Sequence, residues 1–154
     1  MLVRFNEEDI RPMGRTAGGV RGIRLKDDDY VVGMEILEPG QEVLVVTANG
    51  YGKRTPEDEY RLQTRGGVGI KTIQITDKNG PMSAVKTVTG EEDIMLITDN
   101  GMLIRMDVGD ISVIGRSTQG VRLIRLADGE HVATVAKVEK EAPEEDDEET
   151  DVTE

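Results

Sequence analysis

The sequence contains no cysteine and no tryptophan, a single phenylalanine (Phe5) and a single histidine (His131). Without cysteine there are no disulfides, thiolate metal sites or cysteine nucleophiles, and the composition fits a cytosolic protein. One histidine leaves His-based zinc sites and catalytic dyads without partners. Its position after Asp128-Gly129-Glu130 is that of an exposed turn residue. Asp27-Asp28-Asp29 lacks the alternating spacing and the glycine of a calcium-binding loop. No Gly-x-x-x-x-Gly-Lys-[Ser/Thr] phosphate loop occurs. No apolar run approaches a membrane span, and nothing resembles a signal peptide. The chain therefore reads as having no catalytic residue, no metal and no cofactor. Aromatic residues make up 3% of it, so its core must rest on Val, Ile, Leu and Met. At 154 residues, one ordinary core or a short array is within reach.

The net charge of −12 is unevenly spread. Ten of the 31 acidic residues and one of the 19 basic ones fall in 139–154, a local charge of −9. That run has almost nothing to bury and is expected to be a disordered acidic tail. Residues 1–138 hold 21 acidic against 18 basic residues. There the bases cluster in acid-free windows. Arg11, Arg15, Arg21, Arg24 and Lys26 lie in the window 10–26, Arg61, Arg65 and Lys71 in 60–76, and Arg116, Arg122 and Arg125 in 111–127.

These windows recur because the chain repeats. Arg-x-x-x-Gly-[Val/Ile]-[Arg/Lys]-x-Ile-x-[Leu/Ile] begins at Arg15, Arg65 and Arg116, at spacings of 50 and 51 residues. Each copy sets a glycine (Gly19, Gly69, Gly120) before a β-type segment led by a cation (Arg21, Lys71, Arg122). Val43-Leu44-Val45-Val46-Thr47-Ala48-Asn49-Gly50 likewise matches Ile94-Met95-Leu96-Ile97-Thr98-Asp99-Asn100-Gly101. Asn-Gly after such a run is a hairpin signal, since both central turn residues can take positive φ. Met1-Leu2-Val3-Arg4-Phe5 matches Met102-Leu103-Ile104-Arg105-Met106, so Met1 reads as an internal methionine of a longer protein.

A fixed period near 50 residues marks an array of similar supersecondary units. Each unit reads as four short strands. They are expected near 2–5, 20–25, 30–37 and 43–48, then 53–55, 70–75, 82–88 and 94–98, then 103–106, 121–126 and 131–138. The reading is all-β: residues 1–138 form about three propeller-like blades of four short antiparallel strands, with breaks near 52 and 102. The array is incomplete, which leaves faces prone to self-association. A basic stripe on stacked units suits an anionic polymer, although any single arginine could be ordinary solvated charge.

Gly18-Gly19-Val20-Arg21-Gly22-Ile23-Arg24-Leu25, Arg65-Gly66-Gly67-Val68-Gly69-Ile70-Lys71 and Gly115-Arg116-Ser117-Thr118-Gln119-Gly120-Val121-Arg122 closely resemble the repeats of the C-terminal domain of bacterial DNA gyrase A subunits. Leu44-Val45-Val46-Thr47-Ala48-Asn49-Gly50-Tyr51-Gly52-Lys53 strengthens the resemblance, which covers residues 1–138. It implies a β-pinwheel whose basic perimeter binds and bends double-stranded DNA. It also implies an enzyme that includes the rest of the A subunit, together with a gyrase B subunit, in the bacterial cytoplasm at the nucleoid. That family's Gln-Arg-Arg-Gly-Gly-Arg-Gly box is missing. The nearest analogue is Leu62-Gln63-Thr64-Arg65-Gly66-Gly67-Val68-Gly69, so DNA binding without supercoiling is the expectation for this piece. Arg11, Arg15, Arg21, Arg24, Lys26, Arg61, Arg65, Lys71, Arg116, Arg122 and Arg125 are the candidate phosphate contacts. The glycines serve either turn geometry or close approach of amides to phosphates. The acidic tail either competes with DNA or keeps the chain soluble. The alternatives are the C-terminal domain from the A subunit of topoisomerase IV, or a kelch-type protein-interaction propeller; the tryptophan typical of kelch repeats is absent.

Overall fold

A computed structural model describes residues 1–140, so the acidic run beyond Lys140 lies outside the described residues. The strands are β1 (Glu42–Thr47), β2 (Tyr51–Pro56), β3 (Met82–Val88), β4 (Asp93–Thr98), β5 (Leu103–Asp107), β6 (Val121–Arg122) and β7 (Val132–Val138). Single 3-10 turns at Glu7–Asp9, Glu57–Glu59 and Val108–Asp110 are the helical elements among the described residues, and they too recur at one period. All strand pairings are antiparallel, apart from one isolated parallel bridge between Arg54 and Val113.

Strands form where β-branched residues find partners on both sides. The run Val43-Leu44-Val45-Val46 makes β1 the inner strand of a four-stranded sheet ordered β3-β1-β2-β6. Its copy, β4, is the middle strand of a second sheet ordered β5-β4-β7. β1 pairs with β3, and β4 with β7, in equivalent registers, each broken by a bulge near the hairpin turn. Each sheet draws its strands from more than one repeat.

The faces of β1 serve two cores. Leu44 and Val46 pack with Val88, Ile94, Leu96, Val108, Val132 and Val135. Val43 and Val45 pack with Tyr60 and Ile73 on the opposite side, with Leu2 and Ile70 beside them. Leu44 is 1% exposed and Ile94 and Leu96 are fully buried, and each such side chain contributes roughly 1.5–3 kcal/mol by leaving water. Tyr60, buried in the smaller core, satisfies its hydroxyl on the Thr72 hydroxyl at 2.5 Å.

Both Asn-Gly sequences close hairpins, and in each only the glycine takes positive φ. Gly50 takes φ 83° and Gly101 φ 90°, whereas Asn49 and Asn100 stay at negative φ. The amide of Gly50 donates to Thr47 O, and that of Gly101 to Thr98 O. The loops are thus three residues long, an ordinary turn closed by a left-handed glycine. Asn49 is held by another duty, because its side-chain amide donates to the carbonyls of Asp77 and Lys78.

Several expected strands are extended but unpaired. Residues 20–25 and 70–75 make single cross-repeat bonds instead of ladders: Arg24 N to Gly67 O, Gln74 N to Thr118 O, and the Leu2–Ile70 bridge. In the segment 121–126 only Val121–Arg122 pairs, because Leu123 and Ile124 both donate to Gly50 O at the hairpin tip. Residues 30–37 form no strand either. Their copy β3 lies against β1, whereas residues 30–37 pair with no strand among the described residues.

Candidate nucleic-acid interface

The cations of this chain fall into two populations. One is structural. Arg4, Arg54 and Arg105 are equivalent by the repeat; Arg54 lies in β2 and Arg105 in β5, each the second strand of a hairpin, whereas Arg4 lies in an extended segment outside the strands. Arg54 pairs with Glu42 at 2.7 Å and donates to the carbonyls of Ile111 and Gly109. Arg4 pairs with Glu57 and donates to the carbonyls of Glu57 and Tyr60. Arg105 pairs with Asp93. Arg54 fastens its hairpin to the segment 109–111, Arg4 ties the N-terminal segment to the turn at 57–60, and Arg105 bridges the two strands of its own hairpin.

The second population forms the rim. Arg11, Arg15, Arg21, Arg24, Lys26, Arg61, Lys71 and Arg125 are all exposed. None of them has a side-chain hydrogen bond or an ion pair among the described residues, and the structure does not draw Arg11, Arg15, Arg24, Lys26, Arg61 and Arg125 into one cluster. Others it does bring together. Arg65 Nη1 donates to Arg21 O at 2.6 Å, and Arg116 Nη1 donates to Lys71 O at 2.9 Å. These two bonds are one contact repeated: the motif arginine of each later repeat reaches back to the leading cation of the repeat before it. Arg21 is thereby set beside Arg65, and Lys71 beside Arg116.

The motif glycines explain this close spacing. Gly69 and Gly120 have φ of 78° and 77°. A Cβ on Gly69 would lie 2.5 Å from Leu2 O, and one on Gly120 2.8 Å from Gly52 O. Only glycine lets each rim loop lie directly on the strand of the preceding repeat.

Lys53 was not legible as part of this region. Its side chain is fully buried, and Nζ donates to the carbonyls of Gly115 at 2.6 Å and Arg116 at 2.7 Å and to the Thr118 hydroxyl at 3.1 Å. Burial pushes its pKa from the ordinary 10.5 down to about 8; Glu59 opposes the shift and Arg116 adds to it. The ammonium satisfies carbonyls that would otherwise be stranded at the base of the Arg116 loop. The Arg116 amide is held on the other side by Glu59 Oε2 at 3.0 Å.

Arg122 lies against an aromatic ring. Its Nη2 donates to the Tyr51 hydroxyl at 2.9 Å, with the guanidinium carbon 5.5 Å from the ring centroid. Lys78, absent from the sequence-derived candidates, places its ammonium 5.6 Å from the same centroid. It escaped notice because the repeat predicts no cation there: one period earlier stands Asp28 and one later Gly129. His131 sits exposed near this groove, its Nδ1 3.1 Å from Asp99 Oδ2.

Among the described residues no cluster of three or more His, Asp or Glu is placed to hold a metal ion, and no helix is long and apolar enough to cross a membrane.

Antiparallel sheets assembled from neighbouring repeats, one of four strands and one of three, with a 50-residue period and exposed cations at repeated positions, define an open array of β-propeller-type blades. The family described as DNA gyrase C-terminal domain, beta-propeller, matches residues 1–38, 41–88 and 92–139, and the chain belongs to that family. It is 57% identical over 150 residues to the DNA gyrase A subunit of Staphylococcus aureus (strain MRSA252), covering 96% of this chain and 17% of that protein. It is 58% identical over 142 residues to the DNA gyrase A subunit of Staphylococcus epidermidis (strain ATCC 12228), covering 91% and 16%. The chain thus spans about a sixth of the length of these relatives. Among solved structures, the C-terminal domain of DNA topoisomerase IV superposes with a TM-score of 0.82 at 27% identity, over 88% of this chain and 42% of that one. The DNA gyrase A C-terminal domain gives 0.76 at 27% identity, over 87% and 46%.

Proposed function

We propose that this chain binds duplex DNA without sequence preference and bends it along the cationic rim. On this reading it is the part of a gyrase A subunit that helps wrap DNA for ATP-dependent negative supercoiling by the whole bacterial enzyme. Its partners would be double-stranded DNA and the gyrase B subunit, together with the rest of the A subunit, in the cytoplasm at the nucleoid. Strand cleavage belongs to other parts of such an enzyme, and no residue of this chain is given a catalytic role.

The observation that carries the reading is the separation of cations. Arg4, Arg54 and Arg105, at one repeated position, pair with carboxylates, whereas the cations of the acid-free windows have no acid partner among the described residues. Rim cations of this kind neutralise phosphates and release counterions, which gives salt-dependent affinity that does not depend on sequence. Bending a 20–30 bp stretch costs on the order of 1–6 kcal/mol, so contacts from several repeats must act together. The Arg65–Arg21 and Arg116–Lys71 contacts couple the repeats that would share the load.

The test is binding of this chain to duplexes of about 20 bp and about 150 bp across a salt series. Tight binding that favours the longer duplex and weakens steeply with salt is expected. Absence of binding at low salt would refute the reading and direct the search to a protein partner. The higher TM-score to the topoisomerase IV domain favours a second reading, in which the parent is that enzyme. A basic box elsewhere in the parent sequence would decide for gyrase.

A further inference from the structure

We propose that the groove beside Tyr51 is a built phosphodiester clamp, in which Lys78 and Arg122 grip one stretch of DNA backbone and Arg125 stands at the entrance. The proposal rests on the DNA-binding reading above and adds to it Lys78, a cation outside the repeated positions, acting together with Arg122.

The groove lies where the second and third repeats meet, and Tyr51, Lys78, Arg122, Arg125, Asp128 and Glu130 contribute to its wall. Tyr51 is 7% exposed, because the two cations cover its ring. An aromatic face attracts cations and holds them without cancelling their charge. Arg122 spends one N–H on the Tyr51 hydroxyl and keeps its remaining donors. Neither it, Lys78 nor Arg125 has a carboxylate partner among the described residues. The acids in the wall do not neutralise them. Glu130 is buried and accepts the Ala127 amide through Oε2, and Asp128 stands in the exposed turn that precedes β7.

Lys78 is held in place by its own turn. Asn49 Nδ2 donates to the carbonyls of Asp77 and Lys78 at 3.3 and 3.2 Å. Asn79, fully buried, accepts the Thr76 amide and donates to Gln74 O at 2.8 Å and to Gln119 O at 3.0 Å. Gln119 directly precedes Gly120-Val121-Arg122. One buried asparagine therefore ties the Lys78 turn to the strand that carries Arg122. These hydrogen bonds fix the backbone positions from which the two side chains reach the Tyr51 ring. Two cations held at one ring, neither in an ion pair among the described residues, are suited to contacting one stretch of phosphodiester backbone.

The test uses the full chain and a salt series on one duplex, with Lys78→Ala, Lys78→Arg, Arg122→Ala and the control Lys86→Met, which removes a cation paired with Glu35 outside the groove. The clamp predicts that Lys78→Ala and Arg122→Ala each flatten the log–log salt slope by about one ion and weaken binding severalfold. Lys78→Arg restores both quantities, and Lys86→Met changes neither. Lys78 is exposed and leaves the fold intact when replaced, which a thermal melt checks. If the native chain binds DNA but Lys78→Ala keeps its slope, the clamp is wrong and the rim reading survives. If the native chain binds no DNA, both fall together.

Discussion

Residues 30–37 and β3 are two copies of the same segment, and they end in opposite states. Met34 is 83% exposed and Ile36 77%, whereas one period later Val85 packs against the smaller core and Thr87 is 6% exposed. The residue types are comparable; the neighbours are not. β3 has β1 at its side through six registered pairs, while residues 30–37 pair with no strand among the described residues. A strand in this array is a property of two repeats, because a β-branched run gains little until its amides and its apolar face both find partners.

The largest test of this contrast is apolar truncation. Leu44→Ala removes a side chain buried between the two sheets and is expected to cost about 2–5 kcal/mol. Ile36→Ala should stay within about 0.5 kcal/mol. Chemical denaturation of both variants checks this, and equal losses would mean that 30–37 is packed in solution. A second comparison uses equivalent glycines. Gly120→Ala drives a methyl group onto Gly52 O, whereas Gly19, with φ 77°, has nothing within 4 Å of the added carbon. Gly19→Ala should cost only the positive-φ penalty of about 1–2 kcal/mol, and Gly120→Ala clearly more.

Smaller effects separate the two kinds of cation. Arg54→Ala should lower the melting temperature, because it strands Glu42 and two carbonyls, yet leave the salt slope of DNA binding unchanged. Arg122→Ala should do the reverse. A variant pair that shifted both quantities equally would erase the distinction between fastening and rim arginines.

The smallest expected effect concerns pH. The folded pKa of Lys53, about 8, lies below its ordinary 10.5. Between those values the unfolded chain holds the extra proton, so the stability contributed by this group is lowest below pH 8 and rises with pH across the window. The slope is at most on the order of 1.4 kcal/mol per pH unit. The unfolding free energy of the native chain should rise relative to that of Lys53→Met between pH 8 and 10, by at most that slope; parallel curves would show that Lys53 does not titrate in the window.

Much of the rim was legible because charge and glycine recur at a fixed period, and recurrence needs no knowledge of contacts. Gly19, Gly69 and Gly120 could be found that way, and so could Arg21, Lys71 and Arg122. The roles of Lys53 and Lys78 were not legible, since each stands at a position where its copies hold no cation. Arg4, Arg54 and Arg105 did recur, but periodicity cannot tell a rim arginine from one that caps carbonyls.

By itself, the sequence determined the period, the β-rich character, the turns at Asn-Gly and the clustering of bases away from acids, since each is a local pattern of residue types. The tertiary structure alone decided which extended segments became strands, which cations were spent on carbonyls, and which remained free at the rim. Those outcomes depend on hydrogen-bond partners some fifty residues away, and no local pattern carries that information.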